Sequence, residues 1–393
     1  MNLRSIGFRT CACRTHLFAL VAAAATALPL AATGTTALDE WIPRSSPLPP
    51  DARVRGVAYG NDRFVAVAYA DGHAFTSPDG TTWEPQNTGT AGTSKKLSGI
   101  AFGNGIFVAV GNSGHIRTTT DGVDWNPQDA GTTAHFNNVS FANDRFIATG
   151  DSGALLSSPD GVTWTPHNTA TSNKWHSATY ANGTYVAVGY RSPQAGRAAA
   201  GPILDELTLN DTGYVMYMNG VAYGAGKFVC VGYAGAAQTS TDGVQWTEPI
   251  NASPGNWLRR IVYEAGHFVA VGESGIAVSP DGTNWETVLN TGFVTLEGIA
   301  FGKDTFVAVG QEGLILQSAP INSSAGIELT HPSMIDNGFQ FEFNGEVGQS
   351  YEIEASTDLI NWSWLKQVDC TSPTMTVIES TTVAPRFYRV IRP

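Results

Sequence analysis

Cysteine, charge and helix-forming segments are all scarce in this chain of 393 residues. Two of its four cysteines, Cys11 and Cys13, lie near the N-terminus, which leaves Cys230 and Cys370 for the rest of the chain. These two fall in different predicted domains, so the sequence does not indicate a disulfide framework of the kind that holds small secreted proteins together. Stability must come from a hydrophobic core, for which 42% of apolar residues are ample.

The few charged residues are mainly acidic. They make up 14% of the chain, and 34 Asp and Glu outnumber 22 Lys and Arg to give a net charge of −12. Such a surface repels phosphate groups, so nucleic acid is not predicted as a partner. The histidines are scattered, and neither HExxH, CxxC nor a glycine-rich phosphate loop occurs. The sequence therefore predicts no metal site and no cofactor.

Only one apolar run, from Leu17 to Ala32, approaches the length of a membrane span. It follows Arg4, Arg9 and Arg14 and precedes small residues that end at Ala37, which is typical of a signal peptide cleaved after Ala37. The sequence predicts an exported protein, secreted, periplasmic or on the cell surface, without a transmembrane anchor after cleavage.

Turn-forming sequence, by contrast, is abundant, with 43 glycines. A pattern of the type GVAYG recurs at intervals of about forty residues, the period of propeller blades. Its second residues are Val57, Ile100, Val139, Ala178, Val221, Ile261 and Ile299. Each unit contains four short β-type runs, but the last unit stops at Ser318, and DEWIP around Trp41 supplies the missing run. The predicted fold is all-β, a seven-bladed β-propeller closed by its N-terminal strand.

A second motif, Ser/Thr-x-Asp-Gly-x-x-Trp, begins with SPDGTTW at Ser77 and is here called the DGxxW motif. Its Asp and Trp residues are Asp79 and Trp83, Asp121 and Trp125, Asp160 and Trp164, Asp242 and Trp246, and Asp281 and Trp285. Asp-Gly between two β-type runs predicts a type I′ hairpin turn, in which both residues have positive φ. We interpret the motif as structural and not as a repeated active site.

The remaining segments depart from the repeat. Residues 191–213 of the fourth unit are predicted to be an insertion, with Asp211, Gly213 and Tyr217 forming a degenerate hairpin. From Ala325, the alternation in FQFEF and YEIEA predicts a small β-sandwich of immunoglobulin or fibronectin III type. The predicted domains are a signal peptide at 1–37, the propeller at 38–320 and the sandwich at 321–393.

The DGxxW motifs resemble the BNR or Asp-box repeats of bacterial sialidases, sortilin-type receptors, xyloglucan-cleaving propellers and the photosystem II assembly factor family. The C-terminal segment resembles β-domains of exported proteins from Verrucomicrobia and Planctomycetes. The resemblance implies that the motif hairpins lie away from the ligand face. No sialidase active-site residue is carried over, because no FRIP-like stretch is present.

One face of such a propeller contains the links from each outer strand to the next inner strand and the turns between second and third strands. By analogy, we expect ligands to bind on this face. The candidate binding residues there are Arg55, Asp71, Asp151, Trp175, His176, Trp257, Arg259, Glu273 and Glu312. We expect a non-catalytic binding or scaffold protein that recognises a protein partner or an extracellular or cell-envelope glycan. One alternative is a secreted glycoside hydrolase, sialidase-like or polysaccharide-cleaving, that uses carboxylates on this face. Another is an assembly factor for a membrane complex. Catalysis is less favoured, because Asp and Glu before Gly are also ordinary turn formers.

Overall fold

The computed structural model describes residues 37–47, 52–69, 72–89, 96–191, 195–211, 217–253, 257–273, 275–321, 329–335, 338–344, 350–356, 363–372, 374–379 and 387–391. Two compact units contain them, one spanning residues 34–321 and the other including residues 322–393. The apolar run of the predicted signal peptide lies outside the described residues. Within them the helices are single 3-10 turns, none long and apolar enough to cross a membrane.

Seven four-stranded antiparallel sheets, the blades, make up the larger unit. The inner strands are Val54–Gly60, Leu97–Gly103, Phe136–Ala142, Lys174–Ala181, Met218–Gly224, Leu258–Glu264 and Leu296–Gly302. The second strands are Arg63–Ala68, Ile106–Gly111, Arg145–Gly150, Thr184–Arg191, Lys227–Gly232, His267–Gly272 and Thr305–Gly310. The third strands are His73–Ser77, His115–Thr119, Leu155–Ser158, Ala195–Gly201, Ala236–Ser240, Gly275–Ser279 and Ile315–Ser318. The outer strands of blades 1 to 6 are Glu84–Asn87, Asn126–Asp129, Thr165–Pro166, Thr208–Asp211, Ile250–Asn251 and Glu286–Asn290. The 3-10 turns are Ala37–Asp39, Asn112–Gly114, Asp151–Gly153, Leu204–Glu206, Tyr233–Gly235 and Gln311–Gly313.

The outer strand of blade 7 comes from the N-terminus, which confirms the predicted closure. Trp41–Arg44 pairs antiparallel with Ile315–Ser318, with Trp41 opposite Ser318. The Trp41 indole N–H donates to the Leu38 carbonyl at 2.8 Å, as the DGxxW tryptophans donate to a carbonyl three residues earlier. The first and last strands of the propeller thus share one sheet, and the third strand of blade 7 is paired on both sides.

Type I′ geometry is found in a different turn from the predicted one. Asn61 and Asp62, between the inner and second strands of blade 1, both have positive φ, at 44° and 58°. The equivalent turns of the other six blades also place two consecutive residues at positive φ. In the DGxxW motif only the glycine does so, for example Gly80 at 79°. The predicted type I′ turn at Asp-Gly is therefore wrong.

Side-chain hydrogen bonds shape the DGxxW motif instead. The Gly80 N–H donates to Ser77 Oγ at 2.8 Å, and the Thr81 N–H donates to Asp79 Oδ1 at 2.8 Å. The Trp83 indole N–H donates to the Gly80 carbonyl at 3.0 Å. A carboxylate that accepts backbone N–H groups takes over the role of a turn hydrogen bond, so the aspartate needs no positive φ. The Ser77 hydroxyl, the Asp79 carboxylate and the Trp83 indole N–H thus all form hydrogen bonds within the turn.

The blades adhere through an aromatic ring on each inner strand. The seven rings belong to Tyr59, Phe102, Phe141, Tyr180, Tyr223, Tyr263 and Phe301. The Phe102 ring covers the Gly60 backbone of the preceding blade so closely that a Cβ on Gly60 would lie 2.1 Å from it. Phe141 covers Gly103 in the same way. Since each ring also contacts a buried Phe or Tyr of its own blade, as Phe102 does Phe107 at 4.7 Å between centroids, it joins two sheets.

Blade 4 is more regular than predicted. Ala195–Gly201 forms its third strand and Thr208–Asp211 its outer strand, so most of the expected insertion is part of the sheet. The turn between these two strands lies at residues 202–207. The hairpin predicted around Asp211 and Tyr217 is wrong where the structure describes it, because Asp211 ends the outer strand. Gly213 lies outside the described residues. Ala and Gly are poor strand formers, but Ala198 and Ala199 are fully buried between sheets, where only small side chains fit.

A hydrogen-bonded chain links blades 3 and 4. His167 contacts Ser157 Oγ through Nε2 and Asp205 Oδ1 through Nδ1, both at 2.8 Å. In blade 1, Gln86 occupies the position of His167 and donates to Thr76 Oγ1 at 3.3 Å. Because this pairing recurs in a blade without the histidine, and because Ser157 is only 3% exposed, the Ser-His-Asp chain is a cross-blade support rather than a nucleophile.

The smaller unit contains two three-stranded sheets. One consists of Leu329–Ile335, Gly338–Asn344 and Thr374–Glu379, and the other of Ser363–Asp369, Ser350–Ser356 and Phe387–Ile391. Residues of both sheets, such as Phe341 and Ile353, share one buried cluster. This is the small β-sandwich that the alternation predicted.

Deletion of residues 39–44 should destabilise the protein by removing the Trp41 burial, a loss of about 3–5 kcal/mol. We expect the melting temperature to fall by roughly 10 °C, measured by circular dichroism on the chain from residue 38 with and without residues 39–44. A chain with an unchanged melting curve would show that blade 7 does not need this strand.

Gly103→Ala should lower the free energy of unfolding by about 1–3 kcal/mol, because its Cβ overlaps the Phe141 ring. In a Phe141→Ala background the same substitution should cost much less, since the obstructing ring is gone. Urea denaturation of the two single variants and the double variant gives the coupling. Additive costs would contradict the proposed ring-to-backbone contact.

Candidate ligand-binding face

Seven polar side chains surround one mouth of the central channel, at the second residue of each inner strand or one position later. They are Arg55, Ser98, Asn137, His176, Asn219, Arg259 and Glu297. The residues directly before them are apolar and almost fully buried between blades: Val54, Leu97, Phe136, Trp175, Met218, Leu258 and Leu296. Alternation along the strand thus directs one side chain into the core and the next to the mouth.

This alternation corrects the expectation for Trp175. Its side chain is fully buried between blades 3 and 4, within the cluster that includes Ile147 and Tyr185. No ligand at the mouth can contact the ring there. The alignment of the repeats could have predicted this burial, because Trp175 aligns with the apolar residues Val54 and Leu97.

On the blade 1 side, Glu297 joins two arginines. Its side chain, only 6% exposed, pairs with the guanidinium of Arg53 and lies 3.6 Å from Arg55 Nε. The Tyr69 ring packs against three cations, with Arg55 Cζ at 4.3 Å and Lys96 Nζ at 4.7 Å from its centroid. Cation–π contacts of this kind hold the long basic side chains in place.

On the blade 3 and 4 side, Asp151 organises the network. Asn137 Nδ2 donates to Asp151 Oδ1 at 2.9 Å, and Lys174 Nζ lies 3.1 Å from Oδ2. Burial favours the neutral form of this carboxyl, but the hydrogen bonds from Asn137 and Lys174 outweigh it and lower its pKa. Asp151 therefore stays ionised and paired.

Blade 6 contributes the most basic segment. Arg259 donates to Glu273 at 2.8 Å and lies over the Trp257 ring, 5.2 Å from its centroid. Arg260 reaches across the channel, where its Nη2 donates to the Asn137 carbonyl of blade 3 at 3.1 Å. Burial, with the nearby charges of Arg55 and Arg259, lowers the pKa of Arg260 to about 10.

An aromatic shelf, defined here as Tyr190, Tyr217, Tyr233 and Trp257, borders the mouth on blades 4 to 6. The Tyr217 and Trp257 rings stack at 5.6 Å, and Tyr233 meets Trp257 edge-on at 4.9 Å. His176 stacks on Tyr190 at 5.4 Å and connects the shelf to the mouth. The Tyr233 side chain is exposed.

Two predicted residues remain, Asp71 and Glu312. Asp71 is outside the described residues. Glu312 is exposed at the tip of the turn Gln311–Gly313, with positive φ of 57°. Within the described ranges, no group of three His, Cys, Asp or Glu side chains is arranged to hold a metal ion.

Several functional residues were not predicted from the sequence: Arg53, Tyr69, Lys96, Lys174, Tyr190, Tyr217, Tyr233 and Arg260. Most lie one or two positions outside the aligned mouth position or at strand ends. Arg260 had a visible signal, since it replaces the first glycine of the GVAYG pattern.

The mouth is electropositive on an acidic protein. Its contact network contains the cations Arg53, Arg55, Lys96, Lys174, Arg259 and Arg260. The carboxylates in that network are Asp151, Glu273 and Glu297. Cations thus outnumber carboxylates here, although the whole chain has a net charge of −12.

The fold is found in solved structures of diverse proteins. YCF48 bound to a D1 peptide has 16% sequence identity and a TM-score of 0.57, covering 71% of this chain and 94% of that chain. A streptogramin B lyase has 11% identity and a TM-score of 0.62, covering 71% and 96%. Virginiamycin B lyase from Staphylococcus aureus has 10% identity and a TM-score of 0.62, covering 71% and 98%. No protein-family model and no curated protein sequence matches the chain. These similarities establish the propeller fold.

The buried imidazole of His176 should make stability depend on pH. Burial and the charge of Arg260 lower its pKa from 6.5 to about 3. Between these values the unfolded chain binds the proton and the folded chain does not, so stability falls as pH decreases from 6.5. The variant His176→Asn carries the asparagine that is found at the aligned positions 137 and 219. Its melting temperature should decrease less between pH 7 and pH 4 than that of the unaltered protein. His267→Asn, at the start of the second strand of blade 6, serves as control, and equal pH profiles for all three proteins would refute this role.

Proposed function

We propose that this protein is an exported, non-catalytic binding propeller that holds a segment of a partner protein across the mouth and the aromatic shelf. The observation that carries the proposal is the junction of the two, where Arg259 lies over Trp257 beside the exposed Tyr233. Tyr, Trp and Arg are the side chains that most often dominate binding energy at protein interfaces.

The state of the carboxylates argues for binding rather than hydrolysis. Asp151 pairs with Lys174, Glu273 with Arg259, and Glu297 with Arg53 and Arg55. A glycosidase needs one carboxylic acid that keeps its proton and a second group free to attack or to activate water. Carboxylates fixed to basic side chains suit the positioning of cations at a binding surface.

The solved structures support a protein ligand. One of the propellers similar in fold is YCF48 bound to a D1 peptide. Lyases share the fold as well, so the assignment depends on the chemistry of the mouth and not on the propeller itself. An assembly role for a membrane complex is one form that binding of a protein segment can take.

A glycan is the second candidate, and the aromatic shelf favours it. Stacked Tyr217 and Trp257 present flat apolar faces with polar tips near the mouth, which suits the C–H faces of sugar rings. An extracellular or cell-envelope polysaccharide is consistent with the predicted export.

Export fits the closure strand. Cleavage after Ala37 would leave Leu38 as the first residue, and Leu38 is buried and accepts the Trp41 indole N–H. A cleavage site further along the chain would remove this contact. Intact mass of the secreted protein identifies the site.

Binding of the mature chain from residue 38 to arrays of peptides and of glycans tests both candidates, with the glycan wells assayed for released sugar. Trp257→Ala should weaken binding to the best peptides at least tenfold, because the ring anchors the shelf. Trp364→Ala, which removes an exposed Trp from the smaller unit, is the matched control. Trp257-dependent binding to glycans alone would favour the second candidate, and release of sugar would overturn the non-catalytic assignment.

A further inference from the structure

Arg260 occupies a position that other inner strands keep small. The residues aligned with it are Gly56, Gly99, Asn138, Ser177, Gly220 and Gly298. Neighbouring strands approach closely at this level, since a Cβ on Gly298 would lie 3.0 Å from the Gly56 Cα. Small residues are thus suited to this level, whereas the Arg260 side chain extends across the channel to the Asn137 carbonyl.

A cavity of about 320 Å³ occupies the channel at this level, lined by Arg55, Asn138, Ser177, Arg260 and Glu264 among others. Arg260 is enclosed by the inner strands, and part of its surface faces this cavity. A volume of this size accommodates a small ligand group together with water.

The charge of Arg260 has no carboxylate partner. Its two hydrogen bonds go to the main-chain carbonyls of Arg259 and Asn137, at 3.0 Å and 3.1 Å. Across the described ranges, no carboxylate oxygen lies within 4.0 Å of this guanidinium. A desolvated cation without a counter-ion is unfavourable, so buried charges in proteins are almost always paired.

Three further nitrogen atoms near it lack a hydrogen bond among the described residues, although Arg55 Nε lies 3.6 Å from Glu297 Oε2. Arg55 Nε, Arg259 Nε and His176 Nε2 are buried and make no hydrogen bond to any described residue. Arg55 and Arg259 are near enough to Arg260 for their charges to lower its pKa, and Arg260 likewise lowers that of His176. Arg55 and Arg260 thus line the cavity, and Arg259 and His176 lie close enough to Arg260 to interact with its charge.

The nearest carboxylates do not fill this role. Glu297 is near enough to oppose the lowering of the Arg260 pKa but pairs with Arg53 and Arg55. Glu273 pairs with Arg259 and Asp151 with Lys174. Glu264 lies at the far end of the inner strand of blade 6 and is exposed to solvent, which screens its charge.

We infer that the channel mouth is a binding site for one carboxylate, held by Arg260 with Arg55, Arg259 and His176. A guanidinium binds the planar carboxylate through two parallel N–H···O bonds. The carboxylate comes either from a small free acid or, if the proposed function holds, from an acidic side chain or C-terminus of the bound segment. Both sources share this chemistry, and the experiment separates them.

The test uses the mature chain from residue 38 and sodium [1-13C]acetate as probe. Carbon-13 line broadening is measured at constant ionic strength, with sodium perchlorate as the balancing salt. We expect saturable acetate binding by the unaltered protein and at least tenfold weaker binding by Arg260→Gly. This variant has the glycine found at four aligned positions, so it is expected to fold. Lys303→Ala is the control, because it removes one exposed cation that pairs with Asp62. This variant should bind acetate as the unaltered protein does.

Acetate binding that is absent from the unaltered protein, or equal in Arg260→Gly, overturns the site. The array peptides then distinguish the source, each prepared with its acidic groups intact or amidated. If amidation abolishes peptide binding to proteins that retain Arg260, and has no such effect on Arg260→Gly, the bound carboxylate belongs to the peptide segment. If acetate binds but no peptide binds, the carboxylate site is supported, with a small acid as its ligand. This result would contradict the proposed protein ligand but not the carboxylate site.

Discussion

The contact between an aromatic ring and the bare backbone of the preceding blade is the constraint on which the propeller depends. A Cβ at Gly60, Gly103, Gly224 or Gly302 would lie only 2.0–2.2 Å from a ring atom of the next blade. The ring must therefore approach closer than an alanine allows, and its own strand must present it at the correct register. The equivalent positions of the other three blades hold Ala142, Ala181 and Glu264. The ring and glycine pair therefore sets the approach of neighbouring blades at four of the seven interfaces.

Because cohesion lies between the blades, the side chains that face the channel are free to vary. Blade 6 shows this freedom most clearly, with Arg259, Arg260 and Glu264 on an inner strand whose buried residues, Leu258 and Ile261, match the other blades. Arg259 and Arg260 are consecutive, because the pairing register shifts between Leu258 and Arg260, and the change leaves the core unaltered. A binding site can therefore be built on one blade of a repeat without a change in fold.

The repeat made the architecture predictable and left the site largely hidden. Period, strand count and closure by Trp41 follow from self-alignment, which is local information. The failures have local causes too: the turn at Asp79 is shaped by side-chain hydrogen bonds, and the Ala-rich strand of blade 4 is stabilised by tight packing against its neighbours. The mouth network, in contrast, joins residues far apart in the chain, such as Arg260 to Asn137 over 123 positions and Arg53 to Glu297 over 244. No periodicity encodes such pairs.

The distribution of charge at the mouth narrows the kind of ligand it suits. Five of its six cations have a carboxylate or an aromatic ring beside them, and Arg260 has neither among the described contacts. The excess positive charge is thus concentrated on one group in a poorly solvated channel, where an ionic interaction is strong. A polyanion would also meet the acidic remainder of the surface, which repels it. Attraction at one point and repulsion around it favour a ligand with a single anionic group over nucleic acid or a densely charged polymer.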